Sequence, residues 1–264
     1  MVPDSVSFLS WNLAMLARSA QAPPSWGSEH TELAVRELVL EVEPELVLLQ
    51  ELPRQVPFVE THDMIRANPE THQGNLAILI SHDLLARCGR PEHRVVPGCA
   101  VLVTFGPEGS EPDDRNDGGR HGGSRGLGAQ SGFTVANVHL AAGPGAAGER
   151  LEQLARIVEA SPRPELAIIG DTNTRAAELD ALADAGLAAP QPPMATWNSR
   201  RNRFNPSGPE FTAFFTRALV TAGLGVVAQR VLDEGVEAEG HRFHLSDHYP
   251  LAGTIVVAPP SAHG

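Results

Sequence analysis

Ser246-Asp247-His248-Tyr249-Pro250 leads straight into the apolar stretch Leu251-Ala252-Gly253-Thr254-Ile255-Val256-Val257 near the end of this 264-residue chain. A carboxylate and an imidazole side by side, just before a strand-like run, place two ionisable groups where a sheet gives way to a loop. Trp11-Asn12, Gln50-Glu51, Asn137-Val138-His139 and Gly170-Asp171-Thr172-Asn173 share that design. Each closes a short apolar run, respectively Val6 to Trp11, Leu46 to Gln50, Phe133 to His139 and Leu166 to Ile169. Carboxylates, amides and imidazoles delivered from five strand ends suit a hard divalent cation and a phosphate ester.

Further strands are expected over Leu76 to Ile80, Ala100 to Phe105, Phe211 to Leu219 and Leu251 to Val257. Several of these runs are apolar throughout, the pattern of strands covered on both faces. Between them, Val35, Leu38, Val39 and Val42 repeat at helical spacing, with Ser28 as the expected N-cap, Glu29 and Glu32 in the first turn, and Pro44 as the stop. A second helix begins near Gly148, carries Leu151, Leu154, Ala155 and Val158, and is closed by Ser161-Pro162. A third covers Ala176 to Asp184 and stops at Gly186. Strand and helix alternate, so the class is α/β. The stretch from Gly106 to Gly132 has Gly, Asp, Arg and Ser without an apolar cluster, and reads as a flexible hairpin insertion within a single domain spanning 1–264.

A hydrophobic content of 42% and a charged content of 20% are those of a globular chain with a sizeable core. The formal charge of −12 argues against a surface built to track a long nucleic acid duplex, although one basic groove would suffice locally. Cys88 and Cys99 are the only cysteines and read as ordinary thiols. Met1 is followed almost at once by strand-like residues, with no signal-peptide pattern, and no apolar stretch approaches membrane-spanning length. A cytoplasmic protein without membrane contact is the expectation; oligomeric state is not legible.

Taken singly, each motif is compatible with a turn or a solvated strand end. As an ordered set from Asn12 to Pro250, they resemble the endonuclease/exonuclease/phosphatase superfamily, the metal-dependent phosphodiesterases built like deoxyribonuclease I. The resemblance implies a four-layer sandwich of two packed mixed β-sheets flanked by helices. It implies Mg2+ or Mn2+ on Glu51, with Asp247 and Asn12 in the metal shell. Asp171 would position or deprotonate the attacking water, and Asn173, His139 and His248 would stabilise the phosphoryl oxygens. A phosphoester substrate follows, with DNA cleavage as one alternative and a non-catalytic phosphate-binding member as another.

One departure stands out. Family members carry an Asp in the strand before the last, where it orients the terminal His. Here Phe211-Thr212-Ala213-Phe214-Phe215-Thr216 occupies that stretch, so Thr212 is expected in the Asp position, with Asp233 as the other candidate. A hydroxyl orients an imidazole but brings no charge. The loop Thr196 to Phe204 is the dense basic patch, and Trp197, Arg200, Arg201 and Arg203 are its expected substrate contacts.

Overall fold

The computed structural model describes residues 3–14, 22–52, 59–67, 75–106, 132–201 and 207–257. The first sheet has the order β12-β15-β1-β2-β4-β3, formed by Leu224–Val231, Leu251–Val257, Ser5–Asn12, Leu46–Gln50, Ala77–Ser81 and His62–Arg66. The second has the order β11-β8-β7-β6-β5, formed by Thr216–Val220, Leu166–Asp171, Phe133–His139, Ala100–Phe105 and Glu92–Val96. Each sheet holds one parallel pair, β1 with β2 and β7 with β8; its other neighbours are antiparallel.

Alternate residues explain the layers. Val6 and Phe8, Leu46 and Leu48, Phe133 and Val135, Ala167 and Ile169, and Ala218 and Val220 meet in one core between the sheets. The intervening residues Leu9, Val47 and Leu49 face outward onto Val35 and Val39 of α1 (Ser28–Val42). On the other side, Ala136, Val138, Ile168 and Leu219 are covered by Leu154 and Ile157 of α3 (Ala147–Ala160) and Leu182 of α4 (Leu179–Asp184). The result is the expected helix–sheet–sheet–helix sandwich. Its strands are apolar throughout because both of their faces are covered.

Several expected boundaries move. Gly27, not Ser28, takes the N-cap of α1, and the helix ends at Glu43 in the left-handed region (φ 49°) just before Pro44. Ala176 to Asp184 divides into a 3-10 turn, Ala176–Glu178, followed by α4. The run expected as one strand from Phe211 to Leu219 is two: β10 (Thr212–Ala213) pairs with β9 (Trp197–Asn198), and β11 starts only at Thr216. Strand β8 extends to Asp171. The charged strands β3 and β5, and helix α2 (His82–Cys88) capped by Ser81, carried too little apolar periodicity to be expected. Residues 107–131 of the expected insertion lie outside the described residues, but Phe105 and Phe133 at its ends pair as a hairpin requires. Cys88 and Cys99 are free thiols, and no helix among the described residues is long and apolar enough to cross a membrane.

Toward one end of the sandwich the inter-sheet face changes character. After Phe8 the inward positions of β1 are Ser10 and Asn12, and after Leu48 that of β2 is Gln50. Gln50 Nε2 donates across the gap to Asn137 Oδ1 at 2.7 Å. Asn137 Nδ2 donates in turn to Leu49 O and Ala77 O in the opposite sheet, at 2.9 and 2.8 Å. This buried amide bridge pins the two sheets where the apolar core stops. Asn137→Ala removes three buried hydrogen bonds, those to Leu49 O and Ala77 O and the shortest of the three made by Gln50 Nε2, and opens a small cavity. It is expected to cost about 3 kcal/mol or more, read as a lower urea midpoint with unchanged slope.

Candidate active site

One step beyond the amide bridge the same inward positions become ionisable. Strands β1, β2, β7 and β8 end at the same edge of the sandwich because the parallel pairs run in register. They deliver Asn12, Glu51, His139 and Asp171. The antiparallel neighbours β15 and β11 begin there, delivering Asp247–His248 and Thr216. Gly170 makes the approach of β8 to β7 possible. Its φ is 146°, and a Cβ there would lie 2.3 Å from Val138 O. Glu51 and Asn173 then turn out of their strands with φ of 49° and 50°, left-handed values that cost a non-glycine residue free energy and re-aim both side chains.

Asn12 sits at the centre. Its Nδ2 donates to Glu51 Oε1 at 3.0 Å and to Asp171 Oδ2 at 2.9 Å, while its Oδ1 accepts from Ala14 N. His139 Nε2 lies 3.7 Å from each of those two carboxylate oxygens, and His248 Nε2 lies 3.6 Å from Asp171 Oδ2. Asn173 N donates to Asp171 Oδ1 and its Nδ2 to Leu140 O. Asp171 is 2% exposed, whereas the Glu51 side chain is 33% exposed and opens to solvent. Glu51, His139 and Asp171 each bring one ligand atom within 4.8 Å of the others. Two carboxylates converging with an imidazole fit a divalent cation by donor type. Asp247 stands beside this group, its Oδ2 accepting from Trp197 Nε1 at 2.8 Å. Asn12 enters as the hinge between the carboxylates, because its amide oxygen is taken by the backbone.

The group behind His248 is not the one expected. Thr212 is exposed in β10, paired with Asn198, and Asp233 faces Arg201, Arg242 and His244. Thr216, fully buried and opposite Asp171 in the β11–β8 pair, brings its hydroxyl to 3.4 Å from His248 Nδ1. A short strand followed by an irregular Phe214-Phe215 shifts the position by four residues, and sequence alone does not show that break. The substitution itself stands: a hydroxyl, not a carboxylate, backs this imidazole.

Two further devices had no part in the sequence reading. Arg150 is completely buried; it forms a bidentate pair with Glu178 (2.8 and 2.6 Å) and donates to Ala141 O and Gly143 O. It thereby ties the loop after His139 to the segment after Asn173. The available signal was an arginine on the buried stripe of α3, beside Gln153, Leu154 and Ile157. Trp11 Nε1 and Ser246 Oγ cross-link β1 to the last loop, bonding His248 O at 3.0 Å and Asn12 O at 2.7 Å. Of the expected substrate contacts, Trp197 is half-buried beside Asp247, and Arg200 is exposed. Arg201 instead turns away into ion pairs with Asp233 and Glu234, and Arg203 lies outside the described residues.

No family model matches the sequence, and no curated protein matches it. Solved structures do match in shape. TDP2 of D. rerio, complexed with single strand DNA product, superposes with a TM-score of 0.65 at 14% identity, covering 96% of this chain and 99% of that one. The chain has the deoxyribonuclease-I-like fold. An endonuclease/exonuclease/phosphatase from Beutenbergia cavernae aligns with a TM-score of 0.55 at 16% identity, over 97% of this chain and 72% of that one. The endonuclease domain of TRAS1, a telomere-specific non-LTR retrotransposon, gives a TM-score of 0.58 at 15% identity, over 96% and 99%. At such identities the likeness speaks for the fold.

The cluster holding Arg201 also contributes a pH dependence. Burial pushes the Glu234 carboxyl up to about 7, with Arg201 pulling the other way. Burial, aided by Arg201, pushes His244 down to about 4. The folded state therefore holds the Glu234 proton more tightly than the unfolded chain, and that stability is lost as pH rises from 4.5 towards 7. His244 acts oppositely, its contribution being lost as pH falls from 6.5 towards 4. Urea denaturation across this range should show wild type losing stability relative to Glu234→Gln as pH rises from 4.5 to 7, with a flat difference at higher pH.

Proposed function

We propose that the protein is a divalent-metal-dependent phosphoesterase. The observation that carries this reading is the convergence of His139 and His248 on the Glu51 and Asp171 carboxylates that the Asn12 amide ties together, at the end of the sandwich where the inward face turns from apolar to polar and ionisable. The fold supports it, since solved structures with this fold include one complexed with single strand DNA product and one endonuclease domain.

Glu51 is the principal ligand we assign to Mg2+ or Mn2+, with Asp247 as the neighbouring carboxylate, while Asn12 holds Glu51 and Asp171 in place through its Nδ2. When bound, the ion polarises a phosphate oxygen and offsets its charge. The protein residues then act around it. Asp171, held by Asn12 Nδ2 and Asn173 N, accepts a proton from a water lined up behind phosphorus. The water oxygen forms the new P–O bond as the opposite P–O bond breaks and its electron pair leaves with the departing oxygen. His139, His248 and the second amide hydrogen of Asn173 donate to the non-bridging oxygens, where charge grows in the transition state. Thr216 fixes the ring plane of His248 through Nδ1.

The −12 charge favours a small or single-stranded phosphoester over a long duplex. DNA is the second reading, on the strength of the DNA-bound structural neighbour; turnover that falls steeply with salt would support it. The primary test is hydrolysis of activated phosphodiesters and single-stranded oligonucleotides with Mg2+ or Mn2+. Glu51→Gln and Asp171→Asn should each lower kcat by about 100-fold or more, and chelation should abolish turnover. Variants as active as the parent would overturn the assignment; tight phosphate binding without turnover would identify a non-catalytic member. Thr216→Val, which leaves His248 Nδ1 without its hydroxyl, should lower kcat about 10-fold at unchanged KM.

A further inference from the structure

Asp247 and His248 lie on a loop that has no regular structure of its own, so its shape is imposed from outside. Backbone bonds hold both of its flanks: Asn198 N donates to Asp247 O at 3.0 Å, Tyr249 N to Thr196 O at 2.9 Å and Leu232 N to Pro250 O at 2.9 Å. Arg201 touches all three of these segments. Its backbone N donates to Asn198 O at 3.1 Å. Its guanidinium carbon stands 3.5 Å from the centroid of the Tyr249 ring. Beyond the ring, Nη1 donates to Glu234 Oε1 at 3.2 Å and Nη2 to Asp233 Oδ1 at 3.4 Å, just after Leu232. The Arg201 side chain is 9% exposed and that of Glu234 3%. Asp233, Glu234 and His244 have the spacing of a small cation site, with ligand atoms within 4.8 Å of one another. The Arg201 guanidinium already bonds both carboxylates, so the resident cation of this group is an arginine.

Resting on the phosphoesterase reading above, we propose that Arg201 is a positioning residue. Clamped between the Tyr249 ring and the Asp233–Glu234 carboxylates, its guanidinium fixes the Asp247–His248 loop against Trp197 and Thr216. The physical case is one of rigidity. A planar guanidinium stacks on an aromatic ring and bonds carboxylates along its edge at the same time, which an ammonium does not reproduce. The pair is buried, so each partner is strongly tied to the other. Tyr249 adjoins His248, so a shift of its ring moves the imbalance directly into the site. A displacement near 1 Å is enough to cost about 100-fold in rate.

The test compares Arg201→Met, Arg201→Lys and Tyr249→Ala in the full chain, with Arg242→Gln as control because Arg242 meets the same Asp233 from the exposed side. Three properties are read: kcat and KM on an activated phosphodiester with Mn2+, the thermal midpoint, and the indole N–H resonance of Trp197, which bonds Asp247. Arg201→Met is expected to lower kcat about 10- to 100-fold with little change in KM and to move the Trp197 resonance. Arg201→Lys should recover only part of kcat, and Arg242→Gln should match wild type. A folded Arg201→Met protein with wild-type kcat overturns the proposal, as does a loss confined to KM, which would make Arg201 a substrate contact. A lower thermal midpoint with kcat and the Trp197 resonance unchanged would reduce Arg201 to a structural role and also overturns it. Should Arg201→Met fail to fold, Tyr249→Ala, which removes the stacked ring and leaves the ion pairs, decides by the same readouts. If wild type hydrolyses no phosphoester, the functional reading fails. The clamp then stands or falls on whether Arg201→Met, or Tyr249→Ala in its place, moves the Trp197 resonance.

Discussion

The hydrogen bond from Gln50 to Asn137 is the hinge on which this architecture turns. It is the point, just inside the Asn12–Asp171 bond, where two sheets joined through most of their interface by interchangeable apolar contacts acquire a fixed relation to one another. Apolar side chains pack well in more than one offset, whereas a buried amide pair has one geometry that satisfies its donors. Asn137 also bonds two carbonyls of the opposite sheet, so a slip between the sheets breaks several bonds together. Glu51, one residue beyond Gln50, and His139, two beyond Asn137, are set by that registration. The distances of about 3.6 to 3.7 Å within the site are thus inherited from a layer that takes no part in the chemistry.

Seen along the strands, polarity rises in steps. The inward positions of β7 read Phe133, Val135, Asn137 and His139, and those of β8 read Ala167, Ile169 and Asp171. Each step moves toward the open end of the sandwich, where Glu51 and His139 reach solvent and the buried Asp171 is held by bonds from Asn12 and Asn173. The outcome is a patch rich in carboxylates, which by itself repels a phosphate. Under the proposed function, a cation on Glu51 would offset that repulsion, with His139 and His248 as hydrogen-bond donors to the phosphate.

Two buried arginines hold the loops around this patch. Arg150 with Glu178 secures the exits of β7 and β8, and Arg201 with Glu234 secures the loop before β15. Buried ion pairs add little net stability over apolar packing, but removing one partner leaves a stranded charge. Their use here fits loops that need one conformation more than they need extra free energy. The exposed pairs, such as Arg36 with Glu60, have no such consequence.

Most of the fold was legible in the sequence because the central strands are covered on both faces and therefore nearly all apolar. Leu46 to Gln50 and Leu166 to Ile169 leave little room for another reading. Edge strands β3 and β5 were not legible, since a strand with one open face mixes charged and apolar residues without a clear period. Asn12, Glu51, His139, Asp171, Asn173, Asp247 and His248 stand out only as an ordered set of strand-end residues, through the family resemblance that the set carries, since each alone is compatible with a turn. That Thr216 rather than Thr212 stands behind His248 is not legible, because the break between β10 and β11 leaves no mark in composition, nor is it legible that Arg201 faces carboxylates rather than substrate, because charge does not disclose its partner. The sequence by itself determined the alternation that builds the sheets and the chemical groups at their ends. Only the tertiary structure decided which of those groups meet, that Thr216 backs His248 and that Arg201 faces carboxylates, because strand pairing and packing set those contacts across long sequence separations.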